Sequence, residues 1–471
     1  MTHDDGTSDT AHHWKRPLKN SGIAGLGKVG QAILSLIALA LAARQLGPEV
    51  FGYFVLIHGM IHGLSQILRV RSDQAVIRYG ARALHHNAPD RLQSLIRYCF
   101  TLDLLAALAG AALTVLLVAP AARLFNLPED QIWMAQLYAL SIALIILTPA
   151  QTGTLRLLNR FDLLAAQVLV APTIRLGGTL YLFFTNGDLG AYLIVWFAGQ
   201  LAARQVTFLM ARYELNRRSL GAVNFMPVNP FGKDYDFGID NAGKGQTGPL
   251  LRFIFSHNVG LSFKNAQDQI ALLMTGWFLG PAAAGIFRVA QKFADILIKP
   301  PAQMFIPALY PELARYEASG DGTGRRVTLA GNLAVLLSVA VAVFATLVFG
   351  GPYLIKALYG SAYDGAYGPM LWLCIAGLVA TLSYPLEPLL SAAGKVRQIM
   401  LAYIAAAVVL VAGVVVLGPV SGLDAAGMAV AGAALTSAVI LFFGGGHDLL
   451  VRGDNRPSPR SAPPSDGGSS P

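Results

Sequence analysis

Charge is scarce in this sequence. Asp, Glu, Lys and Arg make up 13% of its 471 residues, whereas a soluble protein usually carries about 25%. The only two cysteines, Cys99 and Cys374, lie in different halves, so neither a disulfide framework nor a metal site is expected. No segment alternates apolar and polar residues as barrel strands do. These absences exclude a soluble globular protein, a disulfide-stabilised domain and an outer-membrane barrel.

Hydrophobic sequence is abundant instead. Hydrophobic residues reach 54% and the mean hydropathy is +0.53. A membrane-spanning helix needs about 20 apolar residues. Segments of that kind lie at residues 24–43, 49–68, 98–119, 131–153, 163–184, 188–211, 252–276, 282–310, 327–349, 366–390, 398–418 and 424–446. We therefore predict an all-α polytopic membrane protein with about 12 transmembrane helices.

A motif occurs twice, 233 residues apart: Leu46-Gly47-Pro48-x-x-x-Gly52-x-Phe54 and Leu279-Gly280-Pro281-x-x-x-Gly285-x-Phe287. Each copy follows the first apolar segment of one half of the chain. This predicts two pseudo-symmetric six-helix lobes, and transporters built from such repeats place their site at the repeat interface.

The expected division of the chain follows from the repeat. We predict a polar N-tail at 1–22, an N-lobe at 23–213, an inter-lobe linker at 214–250, a C-lobe at 251–447 and a disordered tail at 448–471. The N-tail has no apolar core segment, so no cleavable signal peptide is expected.

The basic residues predict the orientation. If the loops alternate sides through twelve spans, 26 of the 35 Lys and Arg residues fall on the side of the N-tail, and only Arg44, Arg123 and Lys356 on the other. Cytoplasmic loops carry the excess of Lys and Arg. Both termini are therefore predicted to be cytoplasmic, and the net charge of +9 reflects topology and not nucleic-acid binding.

The predicted linker contains patterns typical of nucleotide sites. Gly238-x-x-x-x-Gly243-Lys244 resembles a phosphate-binding loop, but Gly245 stands where Ser or Thr should bind magnesium. No strand precedes the pattern and Pro249 follows it, so the required strand–loop–helix context is missing. A flexible linker is the expected structure.

Ionisable residues inside two predicted spans share single helical faces. The eighth span carries Arg288, Lys292, Asp295 and Lys299, and the seventh carries His257, Lys264 and Asp268. Such groups are costly in hydrocarbon, so the faces are expected to line a cavity. Because basic residues dominate, that cavity would favour an anion. The alternative is a purely structural role, in which Asp295 pairs with Lys292 or Lys299 on its own helix.

The repeat offset extends the predicted cavity to the N-lobe. When the first half is shifted by 233 residues, His58, His62 and Gln66 match Gln291, Asp295 and Lys299 in that order. Gln31 and Ser35 match Lys264 and Asp268. Arg175 in the fifth span would add positive charge. The acids that could carry a coupling ion are Asp268, Asp295 and Glu387, the last lying between Pro385 and Pro388.

Two stretches of the sequence resemble a known family. The stretch Arg44-Gln45-Leu46-Gly47-Pro48-Glu49-Val50-Phe51-Gly52-Tyr53-Phe54 and the later Phe305-Ile306-Pro307-Ala308-Leu309-Tyr310-Pro311 are similar to the polysaccharide-biosynthesis flippases of O-antigen and exopolysaccharide export. That family belongs to the multidrug/oligosaccharidyl-lipid/polysaccharide exporter superfamily. The resemblance covers about residues 20–448.

The resemblance implies two six-helix lobes around a cationic cavity in the bacterial inner membrane. It also implies a polyprenyl-diphosphate-linked oligosaccharide as substrate, moved by alternating access without a cofactor. Arg288, Lys292, Lys264, Lys299 and Arg175 would bind the diphosphate. Membrane lipids, a polysaccharide polymerase and glycosyltransferases are the implied partners.

Two other functions remain open. A drug/cation antiporter of the same superfamily would be expected to place acids in the cavity, where basic residues dominate here. A membrane-embedded polymerase or glycosyltransferase would need a sizeable loop or a catalytic polar cluster, and the short outer loops offer no place for one.

Overall fold

The computed structural model describes the backbone of residues 7–218, 220, 225–230, 232, 237, 247–295, 322–383, 386–387, 390 and 395–446. Side chains are described in these ranges except at 7–24, 26, 247, 249, 253, 255–266, 322–330, 332, 396 and 445–446. The described part is helical and holds no β-strand, which confirms the all-α prediction. Within it, nine helical segments are long and apolar enough to cross a membrane.

The helices are, in chain order, α1 (Thr7–Leu68), α2 (Ser72–His85), α3 (Pro89–Leu124), α4 (Ile132–Ala139), α5 (Ser141–Ile146), α6 (Pro149–Leu157), α7 (Phe161–Thr185), α8 (Leu189–Arg217), α9 (Thr247–Leu279), α10 (281–295), α11 (Gly322–Tyr359), α12 (Tyr367–Ser383), α13 (Val396–Ser421) and α14 (Asp424–Leu441). Helix α1 includes most of the segment predicted as a polar tail, and it joins the first two predicted spans. The fourth predicted span is divided into α4, α5 and α6, with the last break at Pro149, because proline disfavours helix at the residue before it.

Helix α1 turns sharply at Gly47, which has φ 71° and ψ 167°. Gly280, at the matching position of the second motif, also has a positive φ, 87°. A residue with a Cβ adopts such a conformation only with strain. Each copy of the motif therefore reverses the chain between two helices at what we call the outer end of the bundle.

The two copies of the motif also touch each other. A Cβ added at Gly285 would lie 2.6 Å from the carbonyl oxygen of Pro48. Two hydrogen bonds cross the same region, from Arg44 Nη2 to the carbonyl of Ala357 (2.7 Å) and from Tyr363 Oη to the carbonyl of Ala43 (2.8 Å). The outer end is closed in this structure.

The opposite, inner end is tied together by polar contacts. Asp103 is fully buried in α3 and accepts hydrogen bonds from Ser72 Oγ (2.8 Å) and the Ala150 amide (2.9 Å). Arg160 pairs with Asp162 and with the buried Glu214. These hydrogen bonds raise the pKa of Arg160, so its guanidinium is charged at any physiological pH.

Part of the connection between the lobes packs on α3 at this inner end. The amide of Val228 donates to Thr101 Oγ1 (2.9 Å) and Tyr98 Oη donates to the carbonyl of Pro230 (3.2 Å). Phe225 and Phe237 are buried in the same apolar cluster. The sequence predicts a flexible linker, whereas these contacts hold its described residues against α3. The nucleotide-like pattern at 238–244 lies outside the described residues.

Candidate functional site

Two histidines form the N-lobe side of the site, on the second half of α1. The rings of His58 and His62 stack with their centroids 6.0 Å apart, and that of His58 also stacks on Phe54 at 6.2 Å. His58 Nδ1 lies 2.7 Å from Tyr138 Oη, which holds the ring against α4. Both histidines are half-buried. The hydrogen bond to Tyr138 and the stacking on His62 thus set the orientation of the His58 ring.

Arg175 extends this surface from α7. Its guanidinium lies 5.5 Å from the centre of the Trp196 ring, and Nη2 donates to Gln200 Oε1 at 3.2 Å. Trp196 is buried and packs edge-on against Phe54 at 4.8 Å. A cation held over an indole face is stabilised by the ring quadrupole. The ring contact and the hydrogen bond to Gln200 together fix the position of the Arg175 guanidinium.

The C-lobe side is organised by Gln291 of α10, which is 6% exposed. It accepts a hydrogen bond from Arg288 Nη1 at 3.1 Å and donates to the backbone carbonyl of Asp268 at 2.9 Å. Gln291 therefore joins α10 to α9 and orients Arg288. Lys292, one residue on, lies 3.7 Å from Asp295. This pair matches the alternative in which Asp295 balances a cation of its own helix.

The two sides meet because α1 and α9 approach closely. A Cβ added at Gly63 would lie 3.2 Å from Gln269 Cβ, and one at Gly59 would lie 2.8 Å from Leu272. The Gly59-x-x-x-Gly63 pattern thus brings the two helices together, as small residues do between membrane helices.

The close approach of α1 and α9 brings the two histidines near cations of both lobes. His58 and His62 both lie in the field of Arg175, Arg288 and Lys292. One of these cations comes from the N-lobe and two come from the C-lobe. We call these five residues the central cluster. Within the described part of the chain, neither Arg175 nor Arg288 forms a salt bridge.

The remaining predicted residues are more scattered. Gln31 is exposed on α1, Gln66 is half-buried and Asp268 is exposed. Glu387 accepts a hydrogen bond from Tyr403 Oη at 2.8 Å, and Tyr403 is joined to α9 through Gln267. The side chains of His257 and Lys264, and all of Lys299, lie outside the described residues. The described residues contain no group of three or more His, Cys, Asp or Glu able to hold a metal ion.

Sequence reasoning assigned no role to three residues that shape the site. Gln291 had a detectable signal, because the repeat offset matches it to His58. Tyr138 and Trp196 had none, since an aromatic residue in an apolar span is indistinguishable from core until its partner is known.

The fold belongs to a known class of transporter structures. A multidrug resistance MATE family transporter of the MOP superfamily, in an inward-facing conformation, superposes with a TM-score of 0.64 over 92% of this chain and 94% of that one, at 12% identity. The lipid II flippase MurJ, in an inward closed conformation, also gives a TM-score of 0.64, over 89% of this chain and 87% of MurJ, at 15% identity. The chain therefore has the fold of the MOP superfamily, whose transporter folds have about 12 helices.

The family follows from the sequence comparison. The model of the family described as polysaccharide biosynthesis protein matches residues 18–317. The chain belongs to this family, which confirms the resemblance seen in the motifs. The inner membrane protein YghQ of Escherichia coli (strain K12) is 28% identical over 358 residues, which are 74% of this chain and 94% of that relative.

Proposed function

We propose that this protein is a flippase that moves a polyprenyl-diphosphate-linked oligosaccharide across the bacterial inner membrane by alternating access. The translocated oligosaccharide would be used for O-antigen, capsule or exopolysaccharide synthesis. The observation that carries this proposal is the central cluster, in which Arg175, Arg288 and Lys292 from both lobes interact electrostatically with His58 and His62. A diphosphate supplies the negative oxygens that such guanidinium and ammonium groups bind in charge-assisted hydrogen bonds.

The comparisons support the proposal at a coarser level. The family is one of polysaccharide biosynthesis, one related fold is a lipid II flippase, and a relative is an inner membrane protein. Membrane lipids surround the protein. A polymerase and glycosyltransferases, which would use and make the substrate, are proposed partners. Both termini are proposed to be cytoplasmic, which makes the inner end cytoplasmic, and the lobes are proposed to be residues 23–213 and 251–447.

The coupling ion is part of the same proposal. Asp295 lies next to Lys292 and Glu387 is bound by Tyr403, so both acids are held by groups that can change partner when a proton or sodium ion arrives. Asp268, whose carbonyl binds Gln291, is the third coupling candidate.

A drug/cation antiporter is the second candidate function, because a multidrug transporter shares the fold. The charge of the central cluster argues against it, since a cationic drug would be repelled by three neighbouring cations. A membrane-embedded polymerase or glycosyltransferase has less support, because the related folds are those of a multidrug transporter and a lipid II flippase.

Reconstitution tests the flippase proposal. Proteoliposomes would carry a fluorescent polyprenyl-diphosphate oligosaccharide, and a membrane-impermeant quencher would report the fraction that has crossed. We expect crossing with the wild-type protein and a large loss with Arg288→Ala. Export of a cationic dye at the wild-type rate, with no movement of the lipid, would favour the antiporter instead.

A further inference from the structure

The polar face on the first half of α1 has a cation at the inner end of the bundle. Lys28 precedes Gln31 and Ser35 at spacings of three and seven residues, so the three lie on one helical face. Lys28 is exposed. Among the residues that the structure describes, no carboxylate forms a salt bridge with it. This lysine is therefore an exposed cation on the polar face of the first half of α1.

The second half of α1 ends in the same way. Arg69 lies three residues beyond Gln66 and seven beyond His62, on the face that carries the histidine pair. The Arg69 amide donates to the carbonyl of Ser65 at 3.0 Å, so the helical path continues past Leu68. The two polar faces of α1 thus both end on a basic residue at the inner end.

A third cation joins them from α6. Arg156 interacts electrostatically with Lys28 and with Arg69, and its side chain is 45% exposed. It pairs with Asp73 at 3.2 Å. We call Lys28, Arg69 and Arg156 the inner cluster.

The charge around the inner cluster is positive overall. Arg71 also interacts electrostatically with Arg69. Together with the three residues of the inner cluster, it makes four cations in the region. The acids that face Arg69 are Asp73 and Asp103. Both are already engaged, Asp73 by Arg156 and Asp103 by Ser72 and the Ala150 amide. The region therefore holds four cations and two carboxylates.

The inner cluster is electrostatically continuous with the central cluster. Arg69 acts on His62, and His62 also lies in the field of Arg288, Lys292 and Arg175. An anion that leaves the inner cluster along the face of α1 would meet positive potential at each step. Clefts lined by one sign of charge raise the association rates of ions of the opposite sign.

We propose that the inner cluster, with Lys28 as its exposed residue, is a first docking site for the diphosphate headgroup of the lipid-linked substrate before it reaches the central cluster. This inference rests on the proposed flippase function. It assigns different kinetic roles to the two clusters. Exposed cations mainly govern association and its salt dependence, whereas enclosed charge-assisted contacts mainly govern dissociation.

Stopped-flow binding tests this division of roles. Wild-type protein and its variants would be placed in nanodiscs of zwitterionic phosphatidylcholine and mixed with a fluorescent farnesyl diphosphate analogue. Lys28→Ala is expected to slow association several-fold, and Lys28→Glu roughly tenfold, with dissociation unchanged and a weaker dependence on salt. Lys28→Arg, which keeps the charge, should restore the rate. Arg288→Ala is expected to accelerate dissociation instead.

Two controls make the result specific. Arg123→Ala removes the same charge at the outer end of α3, where Arg123 is 69% exposed and meets Glu129 at 3.8 Å, and it should leave association unchanged. Repeating the measurement with phosphatidylglycerol in the nanodiscs shows whether bulk anionic lipid occupies the inner cluster. An effect of Lys28→Ala that appears only with phosphatidylglycerol would assign the cluster to that lipid and overturn the proposal.

The remaining outcomes separate the two proposals. If the wild-type protein binds the analogue but Lys28→Ala and Lys28→Glu associate at its rate, the docking site is wrong while the flippase function stands. If the wild-type protein does not bind the analogue, both proposals fail.

Discussion

Gly52 lies directly against the backbone carbonyl of Pro281, so closely that a Cβ at this position would overlap the oxygen atom. Gly285 meets the carbonyl of Pro48 in the reciprocal contact. Each copy of the repeated motif therefore supplies a glycine that accommodates the other copy. The repeat is both a mark of internal symmetry and the means by which the outer end closes.

Gly52→Ala should therefore prevent the outer end from closing as it does in this structure. Overpacking a tight contact costs about 1–3 kcal/mol, which shifts a two-state equilibrium by roughly tenfold to a hundredfold. Spin labels at Asp130 and Ser361, both exposed at this end, should show a larger population of long distances. Gly177→Ala, in a helix position with open space around it, is the matched control. An unchanged distance distribution for Gly52→Ala would mean that the contact does not control closure.

Arg288 is expected to contribute most to diphosphate affinity, because Gln291 orients it and no salt bridge occupies it in the described part of the chain. Charge-assisted bonds to phosphate are worth roughly 1.5–3 kcal/mol each. Arg288→Ala should weaken binding about ten- to a hundredfold, and Arg288→Lys should restore it only partly, since Lys cannot bind two oxygens in parallel. Equilibrium titration in nanodiscs measures this. Equal affinity for all three proteins, at matched membrane levels, would place the diphosphate elsewhere.

Substitution of the candidate acids should remove ion coupling. Asp295→Asn removes the charge of the carboxylate that lies 3.7 Å from Lys292. Glu387→Gln keeps a carbonyl oxygen for the Tyr403 hydroxyl while it removes the charge. We expect at least one of them to make lipid movement independent of an imposed proton or sodium gradient, with folding intact. Tyr403→Phe removes the hydrogen bond to Glu387 and leaves its charge, so it tests the two contributions separately. Gradient dependence that survives Asp295→Asn, Asp268→Asn and Glu387→Gln together would rule out this set of acids.

Glu214 should be a strong stabilising residue at the inner end. It is 1% exposed and lies among Arg160, Arg217 and Arg218. Removing one partner of a buried ion pair typically costs about 3–5 kcal/mol, because the remaining charges lose their counterion. Glu214→Ala is expected to lower the thermal unfolding temperature in detergent markedly. Asp162→Ala removes an acid that contacts the same Arg160 but is 53% exposed, and it should cost no more than about 1 kcal/mol. Similar losses for the two variants would contradict this account.

The orientation can be measured on single cysteines introduced after Cys99 and Cys374 are replaced by serine. Ala81 is exposed at the inner end, and Asp130 and Ser361 are exposed at the outer end. A membrane-impermeant maleimide should label the cysteines at 130 and 361 in intact cells, and the cysteine at 81 only after permeabilisation. Labelling of position 81 in intact cells would invert the proposed topology.

Much of this protein is determined by local sequence. The helices are set by long apolar segments, because a backbone in hydrocarbon must satisfy its hydrogen bonds within one segment. The basic face of α10 follows from the spacing of Arg288 and Lys292, because helical periodicity alone places them together. The turns at Gly47 and Gly280 follow from the tolerance of glycine for positive φ.

Other features depend on which helices approach one another, and local sequence carries no signal for that. Arg175 joins the central cluster through Trp196 of α8, which packs against Phe54 of α1. Gln291 is held beside Arg288 by its hydrogen bond to the carbonyl of Asp268 in α9. The division of the fourth predicted span also needed the structure, since its hydropathy is continuous across the breaks. Periodicity and hydropathy act over one helix, whereas a site between lobes is made by contacts between different helices, and only the tertiary fold decides those.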